Sequence, residues 1–248
     1  TDSLFRTVFR KAKEVFNNSN GLFDCSVAPL VNAWGFGFSE KESMDSSRVK
    51  NLLKTVDFEK IILRNDSLIK PNRMLIDFNS IAQGYTVDLI ANLFDKKGIS
   101  NYLIEIGGEI RSRGKNTENK LWKIGVDKPT EFINSKDRFQ VILELNNKSL
   151  ATSGNYRKFY IENGIKYSHV INPKTGFPAK NKLLSVTVIH NDCITADAYA
   201  TAFMVMGLQK SKDFLSQRKD LEAYFVYNDE KGRFENYVTE NFKIRIVD

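Results

Sequence analysis

Cysteine, proline and histidine are all scarce in this chain of 248 residues, which holds two, five and two of them respectively. Cys25 and Cys193 have no metal-binding spacing and are too few for a disulfide framework. Free buried thiols are the expectation; a single disulfide stays open, and the redox compartment is undecided. The chain carries no Pro-rich linker, internal repeat or low-complexity tract. Apolar runs are short: none reaches the ~20 residues of a membrane span, and nothing resembles a signal peptide. Basic runs are missing too. The net charge is +7 and the pI about 9.2, yet lysine and arginine are scattered singly, without interleaved aromatics. A nucleic-acid surface is therefore disfavoured, whereas an anionic small ligand such as a nucleotide suits the charge.

What is present is an ordinary globular composition, 42% hydrophobic and 27% charged, with length for one large domain or two small ones. The chain starts at Thr1 in a helical pattern (Leu4, Phe5, Val8, Phe9, Ala12, Val15, Phe16), which leaves a lost leader open. Helices are expected from Ser46 or Ser47 to Thr55, over Ile81–Lys97, from Thr195 to Met206 and near Ser211–Gln217. Strands are expected at Glu59–Arg64, Met74–Asp77, Tyr102–Ile106, Leu121–Val126, Phe139–Leu145, Phe159–Glu162, Tyr167–Ile171, Leu184–His190, Ala223–Tyr227 and Phe242–Val247. Successive strands without steady β-α-β alternation argue for an α+β fold with mixed or antiparallel sheets and packed helices.

Several stretches have two readings each. In Thr195-Ala-Asp-Ala-Tyr-Ala-Thr-Ala-Phe-Met-Val-Met-Gly207, Asp197 and Thr201 share a helix face, with Cβ atoms roughly 5–6 Å apart. They suit a hard cation, which takes oxygen ligands; alternatively, Thr195 is an N-cap and Asp197 merely complements the helix dipole. Asp77-Phe-Asn-Ser-Ile-Ala-Gln-Gly-Tyr85 joins a strand end to a helix start, a place for phosphate; or Ser80 is a plain N-cap with Gln83 completing a capping box. Gly107-Gly108 permits close approach to a ligand, or simply turns a hairpin, and does not match the dinucleotide glycine fingerprint. Thr152 and Ser153 offer hydroxyls in a small polar loop. His169 precedes a rigid turn with Pro173 and Gly176, where an imidazole suits a general base or stands in a structural role. His190 lacks comparable context. Trp34, Phe36 and Phe38 could stack on a planar ligand or pack in the core.

Six segments, in order, resemble the ApbE family of FAD:protein FMN transferases: Phe23–Gly37, Asp77–Asp88, Leu103–Ile110, Ala151–Tyr156, His169–Pro178 and Thr195–Gly207. The resemblance implies a single α+β, T-fold-like domain over residues 1–248, lacking the family's first strands. It implies transfer of FMN from FAD to a threonine or serine hydroxyl of a target protein, with release of AMP. Mg²⁺ is the implied metal, on Asp197, Thr201 and the Ala82 carbonyl; His169 and Asp197 are the implied catalytic residues. FAD is expected to touch Trp34, Phe36, Asp77, Ser80, Ala82, Gly84, Tyr85, Glu105, Gly107, Gly108, Thr152, Ser153, His169 and Ile171, with glycines 84, 107 and 108 admitting the dinucleotide. The implied acceptor is a flavoprotein subunit of NADH:quinone or related electron-transport type, and nucleic acid is not a partner. An exported, periplasmic protein with a lipid anchor in the full-length chain is expected on the same ground.

Gln83 stands where the family usually has lysine, Asn79 where glycine is usual and Asn172 where aspartate is frequent. Gln83 and Asn172 keep a second reading open, an FAD-binding or carrier protein that has lost transfer; a third is an FAD pyrophosphatase in which water replaces the acceptor hydroxyl.

Overall fold

The computed structural model describes residues 1–129, 138–155, 159–162 and 165–247. Tyr156, the end of one family-like segment, lies outside the described residues. Helix α1 (Ser3–Asn18) buries Val8, Phe9, Ala12 and Val15 on one stripe, and its cap is Asp2, which accepts from the Phe5 amide at 2.7 Å. Two short helices follow, α2 (Ala28–Ala33) and α3 (Ser46–Leu53), then the small hairpin β1 (Ile62–Arg64) and β2 (Ser67–Ile69). The cap of α3 is Asp45 rather than either serine, because its carboxylate reaches the Arg48 amide at 2.6 Å. Met74–Asp77 is not a strand: the Asp77 amide makes one bond to the Cys25 carbonyl, at 2.8 Å, and no ladder forms.

Helix α4 (Ala82–Lys96) leads into the hairpin of β3 (Tyr102–Ile106) and β4 (Glu109–Arg113). Next come β5 (Trp122–Asp127), β6 (Phe139–Leu145), β7 (Ser149–Gly154), β8 (Phe159–Glu162), β9 (Ile165–Ser168) and β10 (Leu183–His190). The chain closes with α5 (Cys193–Met206), α6 (Leu208–Ser216), β11 (Glu222–Asn228), β12 (Phe234–Val238) and α7 (Glu240–Lys243). A six-stranded sheet in the order β12-β11-β10-β7-β4-β3 is antiparallel at every junction. The α+β expectation with antiparallel sheets holds.

Side chains alternate across this sheet, so its two faces build two cores. Ala151, Val186, Val188 and Phe225 pack with α5 and α1, while Leu150, Ile189, Tyr224 and Val226 pack with β5, β6 and α7. Helix α5 is buried nearly all round, which is why its sequence reads as an apolar run rather than a stripe. Phe242–Val247 is not a strand either. Phe242 is the buried anchor of α7, and Ile246 makes only an isolated bridge to Leu143. Among the described residues, no helix is long and apolar enough to cross a membrane.

Candidate active site

The close approach of α4 and α5 defines the first wall of the site. A Cβ on Gly84 would lie 2.4 Å from the Cys193 carbonyl oxygen and 2.8 Å from Asp197 Cβ. Gly84 therefore admits α5, a role in packing rather than the ligand approach expected of it. In return its amide donates to Asp197 Oδ2 at 2.9 Å. Asp197 is 6% exposed, and burial pushes its carboxyl up to about 6, partly offset by that amide. One turn on, the Thr201 hydroxyl lies 3.1 Å from the Ser153 hydroxyl. Strand alternation separates the two expected hydroxyls of β7: Ser153 faces α5, whereas Thr152 pairs with Thr187 at 2.9 Å on the far face.

The start of α5 is fixed by two aspartates. Asp192, not Thr195, is the N-cap, accepting from the Thr195 amide at 2.9 Å; the Thr195 hydroxyl is buried without a partner. Asp88 on α4 accepts from the amides of Cys193, at 3.0 Å, and Ile194, at 2.9 Å, and pairs with Arg111. Its place as the last residue of a family-like segment was the only sequence signal for this role.

Gly107 and Gly108 form the two-residue turn of the β3–β4 hairpin, with φ of +65° and +112°. Positive φ at both positions favours glycine and matches the strand twist. Gln83 leans against this turn: its Nε2 donates to the Ile106 carbonyl at 2.9 Å and occupies the place of a Gly107 Cβ, whereas a Cβ on Gly108 would meet open space. Gln83 thus completes no capping box, and Ser80 does not cap α4, whose N-cap is Ile81. Ser80 instead hydrogen-bonds the buried Cys25 thiol, which burial pushes well up and which feels Asp24, Asp77 and Asp197. Asp77 holds its own loop, accepting from the Asn79 amide at 2.7 Å.

The Ala82 carbonyl opens α4 and, besides its place in the helical ladder, accepts from the Thr86 hydroxyl at 2.9 Å. Glu105 is exposed on β3. Tyr85 lines a groove of about 460 Å³ with Thr7, Arg10, Asp88 and Arg111, beside α1 rather than at the Asp197 cluster.

Sequence reasoning singled out neither Glu109 nor Asp24. Glu109 follows the glycine turn, is 8% exposed, and its Oε2 is buried without a partner. Burial first, then the charges of Asp197 and Glu105, push its carboxyl up to about 8. Asp24 ties a loop together, accepting from the Ser26 amide at 2.7 Å and its hydroxyl at 2.6 Å.

The second group of expected site residues is aromatic. Trp34 is buried, and its indole donates to the Gly176 carbonyl at 2.8 Å, holding the turn after His169. Its ring stacks on Tyr167 at 5.5 Å, Tyr167 on Tyr160 at 5.2 Å, and Tyr160 on Phe36 at 5.3 Å. His169 stands edge-on to Phe36 at 6.4 Å. The ladder thus uses the faces of Trp34 internally, while Phe38 is 93% exposed. Ile171 is a core residue that bridges to Pro178. Asn172 Oδ1 accepts from the Lys174 amide at 2.9 Å, a task for which an amide serves as well as the family's frequent carboxylate.

A family model settles the lineage: the ApbE family matches residues 1–225. The chain belongs to the ApbE family. Its relatives include the FAD:protein FMN transferases of Vibrio cholerae, 34% identical over 240 residues, and of Escherichia coli K12, 34% identical over 238 residues. Those alignments cover 96% and 92% of this chain but 70% and 66% of the relatives' lengths. Among solved structures, the flavin transferase ApbE from Vibrio cholerae superposes with a TM-score of 0.88 at 32% identity, over 99% of this chain and 77% of that one. The apo flavinyl transferase ApbE of Pseudomonas stutzeri gives 0.87 at 30% identity, over 99% of this chain and 75% of that one.

Among the described residues, no three Cys, His, Asp or Glu side chains form a metal cluster. A cation at the ApbE-like wall would need hydroxyls or carbonyls beside carboxylate. Asp197, Thr201 and Ser153 supply that chemistry, all oxygen, which fits Mg²⁺ and not a thiolate-seeking metal.

Proposed function

We propose that this member of the ApbE family, a transferase like its relatives, moves the FMN half of FAD onto a threonine or serine hydroxyl of a target protein and releases AMP. One observation carries the reading: a buried carboxylate, Asp197, lies one helical turn from the paired Thr201 and Ser153 hydroxyls, at a joint closed by Gly84. Asp197 and Thr201, with the Ala82 carbonyl, would hold Mg²⁺. When bound, the cation offsets pyrophosphate charge and polarises the phosphorus under attack.

The chain's own residues do the rest. Backbone at the Gly107-Gly108 turn, open on the Gly108 side, lets the dinucleotide approach. Phe36 and Tyr160 offer aromatic surface to the flavin, and the Trp34–Gly176 bond fixes the turn that follows His169. His169 accepts the proton of the acceptor hydroxyl as its oxygen bonds to the FMN phosphorus. The bond that breaks is the pyrophosphate P–O bond to AMP, so atoms and charge balance.

The acceptor class we favour is a flavoprotein subunit of electron transport, met on the periplasmic side of a membrane; both rest on the family resemblance. The test incubates the protein with FAD, Mg²⁺ and a flavoprotein acceptor domain. Covalent, fluorescent FMN on the acceptor with stoichiometric AMP supports the reading. Free FMN and AMP without acceptor labelling would make it a pyrophosphatase, and FAD binding without AMP would make it a carrier.

A further inference from the structure

Among the described residues, Glu109 is the buried acid at this site that keeps an unpartnered oxygen, although a backbone amide donates to its carboxyl. It is 8% exposed, and its Oε2 is buried with no hydrogen-bond partner. The position is forced, since the Gly107-Gly108 turn fixes the hairpin register that places Glu109 opposite Ile106. Alternation along β4 puts Glu109 on the same face as Arg111. Arg111, the cation of that face, is taken by Asp88. Gln83 is neutral and donates to the Ile106 carbonyl. The charges that bear on Glu109 are both acidic, Asp197 and Glu105.

Two ways of settling such a group fail. As a carboxylate it lacks a donor or counter-ion at Oε2, and buried charges are ordinarily paired or bound to metal. As a neutral acid its O–H would need an acceptor there, and none is within reach. A cation shared with Asp197 answers both objections, because it supplies the missing positive charge to two acids at once. The donor chemistry agrees, since an octahedral hard cation takes more oxygens than Asp197 and Thr201 provide.

We propose that Glu109 is a protein ligand of the divalent cation, closing with Asp197 and Thr201 an all-oxygen site. This rests on the metal-dependent reading above. It adds a ligand that lies on β4, so the cation fastens the β3–β4 hairpin to α5 as well as meeting the substrate.

The test measures Mg²⁺ binding by calorimetry, and Mn²⁺ binding by electron paramagnetic resonance, on the full chain without FAD or acceptor. Glu109→Gln keeps the side chain's volume and should weaken the Mg²⁺ Kd at least ~10-fold. The metal-free variant should melt close to the wild type, because glutamine keeps the side chain's size and its buried position, and its Mg²⁺-induced rise in Tm should largely vanish. Glu109→Asp, a carboxylate drawn back by one methylene, should also bind more weakly and provides the measurement if the glutamine variant does not fold. An unchanged Mg²⁺ Kd in either folded variant, with Asp197→Asn impaired, would overturn the role of Glu109 alone. Absence of Mg²⁺ and Mn²⁺ binding by the wild type would remove this proposal and the metal-dependent reading together.

Discussion

At Gly84 one missing methyl group decides whether the site exists. The helix would gain from alanine by about 1 kcal/mol of propensity, yet the added Cβ would sit 2.4 Å from the Cys193 carbonyl oxygen, a backbone atom that cannot swing aside. Overpacking of this kind costs about 1–3 kcal/mol. Gly84→Ala should therefore lower Tm by several degrees and weaken Mg²⁺ binding, because α5 must shift away from the amide that holds Asp197; a thermal scan with and without Mg²⁺ checks both. Asp197→Asn separates charge from packing. The asparagine oxygen still accepts the Gly84 amide, so the fold should hold or stabilise, while flavin transfer falls about 100-fold or more. Labelling rates beside a thermal scan would show it, and near-normal transfer would remove Asp197 from the chemistry. That Asp197 and Thr201 share a helix face was legible in the sequence because they are four apart; their reading as a metal pair came from the family resemblance. Glu109 was not legible. Its isolation depends on which neighbours Arg111 and Gln83 choose, and no spacing encodes that choice.

Helix α5, which carries Asp197 and Thr201, is positioned by residues outside the chemistry. Its first turn is held by Asp192 and Asp88, two carboxylates from different parts of the chain. Burial opposes ionisation of Asp192, but His190 and the Thr195 donors hold its carboxyl well below the usual 3.8. Its folded value thus lies below its unfolded one, so its stabilisation is present above the usual value and is lost as pH falls. Asp220, held down to about 2 mainly by Arg218, acts with the same sign. Both side chains are more than a third exposed, at 38% and 43%, so solvent screening limits each to under ~1 kcal/mol. Asp192→Asn keeps a cap acceptor and loses the charge. Denaturant melts should show it weaker than wild type at pH 7, with the gap narrowing steadily as pH falls below 3.8; a constant gap at all pH would contradict the assignment. The sequence placed this helix but misplaced its cap, because Thr195 directly precedes the apolar run, whereas Asp192, the better capping residue by type, lies three residues earlier. Strands suffered similarly. Tyr102–Ile106 alternates and was plain, whereas β4 follows a glycine pair and carries charged Glu109 and Arg111 inward, so its pattern resembles a turn. Phe242–Val247 looked like a strand from its apolar residues alone, although only Phe242 is deeply buried.

Across the whole molecule, charge runs in opposite senses at two scales. The chain carries +7 overall, which draws an anionic dinucleotide from a distance. At the α4–α5–β4 joint, however, the buried acids Asp197 and Glu109 supply no positive charge for a pyrophosphate, and Arg111 is occupied by Asp88. On the proposed reading, a dinucleotide arriving without a divalent cation finds no positive charge where its phosphates would settle. Mg²⁺ and FAD should therefore bind with positive coupling, and linkage requires each to tighten the other by one common factor. A coupling of about 1–3 kcal/mol corresponds to roughly 5–150-fold. Flavin fluorescence titrations with Mg²⁺ and with chelator give the factor for FAD; calorimetric Mg²⁺ titrations with and without FAD give it for the metal. The two factors must agree for a single shared site. Equal FAD affinity with and without Mg²⁺ would mean that the buried acids do not face the pyrophosphate. Salt offers an independent check, because added electrolyte screens the long-range attraction of the +7 surface while leaving the buried, short-range coupling largely intact. Raising ionic strength should thus weaken FAD binding in both titrations by a similar factor and leave their ratio nearly unchanged.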